Sequence, residues 1–242
     1  MRSARLCTLA LALLALPLAL TACVSGVNGS VDVAAGSSVS DASTVNGSVH
    51  VETNAKADKA STVNGSIHLA EGAKVGDAST VNGSIDLGDH ATADHLTTVN
   101  GHITLATGAT VSGDVTAVNG ALDLAASSAV NGKLTNVNGK IAIADAHIGQ
   151  GITTANGDIS VIGNSVIDGG IKVVKPKDNG VFGIHFGSDN IPTITIGPGA
   201  TVNGPLDFER PVKLFISDQA HVAGPITGAQ AVKFSGATPP AS

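Results

Sequence analysis

His50 and His68 stand one repeat apart, and Asp86 stands one repeat further on, in three copies of the same local pattern: Val49-His50-Val51, Ile67-His68-Leu69 and Ile85-Asp86-Leu87. Two imidazoles and a carboxylate are the ligand types that hold a divalent transition ion. If the copies are stacked strands, the three side chains form a line about 4.8 Å apart on one outer face. A closed metal site wants three or four converging ligands. The equivalent positions further on are Thr104, Asp123 and Ala142, so solvated strand positions explain the residues better than a metal centre. His90, Asp94 and His95 make a second group, expected at a corner of the chain. Lys172, Lys175 and Lys177 surround Pro176 and form the densest positive charge. They could meet an anionic lipid or glycan, or simply be solvated in an exposed loop. Calcium coils of the Gly-Gly-x-Gly-x-Asp type are absent. No metal, no catalytic residue and no cofactor is expected.

What positions these residues is a repeat. Asn28, Asn46, Asn64, Asn82, Asn100, Asn119, Asn138 and Asn156 are each preceded by Val or Ala and followed by Gly, at spacings of 18, 18, 18, 18, 19, 19 and 18. A period this short, held this long, marks a solenoid in which one repeat makes one coil. Within the coil a finer period of six runs through Val45, Val51, Ala57, Val63, Leu69, Val75, Val81 and Leu87, so three sides per coil are expected. The expected fold is therefore an all-β, three-sided parallel β-helix of about 18 residues per coil.

Strand alternation over Val63-Asn64-Gly65-Ser66-Ile67-His68-Leu69 places Val63, Ile67 and Leu69 on one face, with Ser66 and His68 opposite. Gly65 then falls on the inward parity, where a side chain would obstruct a bend, and Gly also tolerates positive φ. On this reading Asn-Gly marks a corner. A two-residue hairpin is the other common meaning of Asn-Gly, but hairpins would not preserve the whole-repeat spacing. Stacking should align the eight Asn into a ladder, their amides bonding to one another or to corner backbone. The extra residue in the coils ending at Asn119 and Asn138 is expected at a corner.

The pattern loosens after Asn156 and breaks near Lys172. The organisation expected is regular coils over 23–171, a protruding loop or hairpin over 172–193 with Phe182, Ile184 and Phe186 on one face, closing coils over 194–236, and a disordered tail over 237–242.

The first residues read as export sequence: Arg2 and Arg5 precede an apolar run from Leu6 to Leu20. Leu20-Thr21-Ala22-Cys23 resembles the lipobox of bacterial lipoproteins. That resemblance implies cleavage before Cys23, so that 1–22 is signal peptide, and acylation of Cys23 as the membrane anchor. Two or three acyl chains pass the threshold for stable attachment, each buried methylene adding about 0.8 kcal/mol. Val24 lacks the Asp that in this family signals inner-membrane retention. The implied location is a cell envelope, and the outer membrane facing the periplasm where there is one. A simple secretory signal with an incidental cysteine is the alternative.

Composition excludes more than it assigns. The chain has 13 Lys and Arg against 19 Asp and Glu, a net charge of −6, and Arg210 is the only Arg beyond the leader, so a nucleic-acid footprint is missing. Trp and Tyr are absent and the five Phe all follow residue 180, so aromatic platforms for sugars are absent over most of the chain. A polysaccharide lyase would need a carboxylate cluster and a basic residue beside it, and Arg210 has none repeating near it. An ice-binding face would need a Thr-x-Thr ladder, whereas Thr44, Thr62, Thr80 and Thr98 give way to Ala117 and Asn136.

The Thr-Val-Asn-Gly-Ser-Ile units, with Gly113-Asp-Val-Thr and Gly199-Ala-Thr-Val-Asn-Gly204, resemble the β-strand repeats of exported bacterial proteins of the DUF4097 type. They are also similar to bactofilins, polymer-forming cytoskeletal proteins whose three-sided β-helix is right-handed, which is the hand favoured here. The lipobox departs from bactofilins, which are mostly cytoplasmic. The period of six resembles the left-handed β-helix of hexapeptide acyltransferases as well, so handedness stays open, and their thioester donors have no supply outside the cytoplasm. The expectation is a non-enzymatic, lipid-anchored rod that scaffolds or connects the envelope, with self-association, another envelope protein or a glycan as partner. The alternative is a ligand-binding or adhesive module using an outer solenoid face or the 172–193 loop.

Overall fold

The computed structural model describes residues 22–175 and 191–240. The expected signal peptide, except Ala22, lies outside these residues, as do Lys177, Phe182, Ile184, Phe186 and the last two residues of the tail.

Every strand pairing among the described residues is parallel, and no helix occurs there. An 11-stranded sheet supplies the first side of each coil, one strand per coil, from Val31–Val33 to Ala231–Phe234. A 17-stranded sheet supplies the other two sides. In the early coils one strand makes both of those sides, as in the nine-residue Lys56–Asn64, Lys74–Asn82 and Thr92–Asn100. From the next coil on they are separate strands, Thr110–Val111 and Val115–Asn119.

The break follows from the extra residue. Inward Ala93 and Leu96 are three positions apart, whereas inward Val111 and Val115 are four apart. The added position opens the corner at Ser112-Gly113-Asp114. Gly then recurs at this corner because a Cβ on Gly132 would lie 2.3 Å from the carbonyl oxygen of Gly113. About eleven coils at about 4.8 Å each make a rod on the order of 50 Å long.

The interior is a stack of small aliphatics. In one coil it receives Val49, Val51, Ala55, Ala57, Ala60 and Thr62, each at most 4% exposed. Val49 to Ala55 spans six residues, Ala55 to Ala60 five, and Ala60 to Ile67 seven. The sides are therefore unequal, and the strict period of six does not describe which residues point in.

This corrects the face assigned to Val63. Val45, Val63 and Val81 are about 40% exposed, while Thr44, Thr62, Thr80 and Thr98 are at most 5% exposed. Strand alternation holds through Ala60 and Thr62, but the Asn-Gly corner interposes four residues before inward Ile67, so parity is not carried across it. A buried hydroxyl needs a partner, and each Thr has one: Thr62 Oγ1 donates to the Gly47 carbonyl at 2.8 Å, and Thr80 to that of Gly65 at 2.9 Å. The Thr series weighed against an ice-binding face is thus an interior one.

Glycine at the Asn-Gly corner also has a cause beyond those expected. A Cβ on Gly65 would sit 2.0 Å from the Gly47 carbonyl oxygen, and one on Gly83 only 1.8 Å from that of Gly65. Glycine is required by the approach of the neighbouring coil, not by a side chain blocking the interior. Positive φ occurs at this corner at Gly29, Gly47 and Gly139 (114°, 155° and 130°), and it recurs coil by coil at another corner, after the first side, where Asn54, Gly72, His90, Gly108, Ser127, Asp145 and Gly163 have φ between 52° and 70°. Several polar members fold over the next glycine. A Cβ on Gly72 would meet Asn54 Oδ1 at 2.6 Å, and one on Gly163 would meet Asp145 Oδ1 at 2.4 Å.

Candidate functional site

Cys23 lies in the strand Ala22–Ser25, which pairs in parallel with Ser38–Ser43 in the register Cys23 to Asp41, Val24 to Ala42 and Ser25 to Ser43. Its thiol is exposed, with Sγ 3.4 Å from Ser40 Oγ. Paired strand is thus already present at the cysteine. Whatever is attached to Sγ is attached to a hydrogen-bonded strand.

His50, His68 and Asp86 occupy the middle, outward position of Val49–Val51, Ile67–Leu69 and Ile85–Leu87 and are in direct register. The two imidazoles stack with centroids 5.1 Å apart and planes 15° from parallel. His68 Nδ1 lies 3.0 Å from Asp86 Oδ2, which spends one ring nitrogen on a neighbour within the column. Asp32 pairs with His50 on the other side, so the column starts and ends on a carboxylate. The side chains run in line, and among the described residues no three His, Cys, Asp or Glu are grouped to hold a metal ion. The column borders a shallow groove of about 360 Å³ that continues, through Thr104 and Ala106, into one of about 340 Å³ lined by Ala125, Ala142, Ala144 and Ile162.

His90, Asp94 and His95 do not converge. His90 sits at the left-handed corner with its ring against Gly108. The other two serve the next coil: Ser112 Oγ donates to Asp94 Oδ1 at 2.6 Å, and the Asp114 backbone N–H donates to His95 Nδ1 at 3.1 Å.

The eight Asn are joined by seven side-chain hydrogen bonds of 2.8 to 3.0 Å, each Nδ2 donating to the Oδ1 of the Asn one coil earlier. Because every bond points the same way, the last member has an Oδ1 that no further Asn can fill. Arg210 fills it: its guanidinium donates to Asn156 Oδ1, and to the Ala155 carbonyl at 3.1 Å. Arg210, noted in the sequence only for its isolation, is the cap of the ladder.

Lys172 is not a free cation of a loop. It belongs to the strand Gly170–Val173, and its Nζ lies 2.7 Å from Glu209 and 3.0 Å from Asp207. Its bonds to Glu209 and then Asp207 raise its pKa, and Lys172 in turn lowers both carboxyls. The Lys175 backbone N–H also donates to Glu209. The charge of Lys172 is thereby matched by partners some 35 residues on, a separation at which sequence carries no signal.

A second ion pair escaped the sequence reading for the same reason. His147 Nε2 is 2.7 Å from Asp168 Oδ2, and Asn203 Nδ2 donates to Asp168 Oδ1 at 3.1 Å, so the Asp168 carboxyl is held below its usual range, mainly by His147. The pair bridges coils on the outer surface and has no nucleophile bonded to it. No helix of the described residues is long and apolar enough to cross a membrane. No family model, curated protein or solved structure matches the chain.

Proposed function

We propose that the chain is a bacterial lipoprotein, anchored through acylated Cys23, whose β-solenoid serves as a rigid structural or scaffolding rod of the cell envelope without enzymatic activity. The observation that supports this most is the place of Cys23: an exposed thiol directly after a leader-like apolar run, held in the first strand of the solenoid. An acyl anchor there would act on the rod without a slack tether, and the lipid would be its first partner. Outer-membrane attachment facing the periplasm is the reading for a cell with two membranes. The rest of the molecule suits such a role, since its polar clusters are bonded within and between coils. The test is membrane fractionation of the native protein beside Cys23→Ser: native protein sedimenting with membranes, and a variant that loses its acyl-dependent attachment, is the expected pair of results.

A second reading, a module that binds an elongated ligand, draws on the two joined grooves of the first side. A saturable ligand displaced by Ala142→Lys would favour it over the scaffold.

A further inference from the structure

We infer that the third side of the solenoid is a self-association surface on which two copies of this chain pack rod against rod. Its outward residues include two uncharged columns in register, flanked at the edge toward the second side by the mixed column Asp41, Lys59, Asp77 and His95. The first is Ser25, Ser43, Ser61, Ser79, Thr97, Thr116, Thr135 and Thr153. The second is Val27, Val45, Val63 and Val81, which are 66%, 41%, 40% and 41% exposed, followed by half-buried Val99, Val118 and Val137. Half of the large hydrophobic side chains that stand exposed among the described residues fall in this one column. The Asn ladder borders it, its amides already bonded to one another. Scattered exposed valines would need no explanation, but a contiguous stripe marks an interaction surface.

Charge selects the occupant. With a net charge of −6, two copies repel wherever charged sides meet. The first side presents Asp32, Glu52, Asp86 and Asp123, and the second presents Lys56, Asp58, Lys74 and Asp77. The third side carries no charge in either column from Ser25 to Thr153. The neutral ribbon ends at Lys172, Asp207, Glu209 and Arg210, the same level at which the Asn ladder is capped. This is the side on which a second acidic copy can approach with the fewest like charges, since its two central columns carry none and the edge column mixes both signs.

Eight coils at about 4.8 Å by three or four residues across give about 400 to 500 Å² per copy, or about 800 to 1,000 Å² in the pair, which is at or just under the lower bound for specific association. A contact of that size is weak in dilute solution and strengthened when both copies are confined to one surface. The contact therefore supplies what the scaffold reading needs, and it rests on that reading for its strength in the cell though not for its location.

The test is a cysteine scan in the otherwise native chain, with Val45→Cys, Val63→Cys, Val81→Cys and Val99→Cys made singly beside Thr92→Cys and Thr110→Cys on the second side. Cells are treated with a membrane-permeant oxidant and the protein is run without reductant. Disulfide-linked dimers at one or more of the stripe positions, and monomer at both control positions, are expected. Adding Val45→Lys and Val63→Lys to Val81→Cys or Val99→Cys, or Val81→Lys and Val99→Lys to Val45→Cys or Val63→Cys, should abolish the dimer while circular dichroism of the purified protein stays unchanged. Monomer at every stripe position, or equal dimer at the controls, overturns the inference. Fractionation of the same cells reads the anchoring separately, and the unsubstituted chain oxidised in parallel reads any disulfide formed through Cys23 itself, so failure of the contact is not confused with failure of the lipoprotein reading.

Discussion

Arg210 donates to the Oδ1 of Asn156, and by doing so ends a chain of carboxamides that begins at Asn28. The bonds share one direction, so removing the cap should leave an acceptor without its strongest donor. Arg210→Met is expected to destabilise the protein by about 1.5 to 3 kcal/mol, the range for hydrogen bonds to a charged group. Hydrogen exchange should locate the loss in the coils around Asn156 before the early ones. Thermal melting equal to wild type would contradict this role.

Within the ladder, Asn82 donates to Asn64 and accepts from Asn100. Asn82→Ala removes both bonds at an exposed corner, where water can replace them in part. The cost expected is about 1 to 2 kcal/mol in a urea unfolding series.

Gly83 is more severe than either. Its alanine Cβ would lie 1.8 Å from the Gly65 carbonyl oxygen, which is backbone and cannot rotate away. Gly83→Ala should cost about 3 kcal/mol or more, by forcing adjacent coils apart. A melting temperature near wild type would show that the coils do not approach as described.

Thr80 and Val81 are adjacent and face opposite ways, 3% and 41% exposed. Thr80→Val removes the donor to the Gly65 carbonyl and is expected to cost about 1 to 2 kcal/mol. Val81→Thr should stay within about 0.5 kcal/mol of wild type, as surface changes do. The reverse order would restore the inward face first inferred for the valines.

That pair also shows what sequence carries and what it does not. The repeat interval is legible because each coil must place equivalent residues on those of the coil before. Ile67, Leu69, Ile85 and Leu87 are read correctly because they lie within a single strand. Val63 is misplaced because parity does not survive a corner whose length is set by tertiary packing. The glycine at that corner is predictable as a type but not in its cause, which is a carbonyl 18 residues away. Arg210 with Asn156, Lys172 with Glu209 and His147 with Asp168 follow no periodic rule, so only the folded rod brings them together.

Acid should weaken the later coils. Asp207 and Glu209 have lowered pKa values through Lys172, and Asp168 mainly through His147. A lowered carboxyl contributes stability that is present above its unfolded pKa and is lost as pH falls through the folded one. The melting temperature should therefore fall as pH is taken below the ordinary carboxylate range. Lys172→Met should flatten that dependence, and an unchanged pH profile would remove the ion pairs from the account.

Intact mass of the mature protein and of its first peptide decides whether the rod is anchored. A chain that begins at Cys23 and carries the added mass of two or three acyl chains is expected, with both modification and cleavage lost in Cys23→Ser. A mature chain that begins elsewhere, or an unmodified Cys23, would contradict the anchored rod.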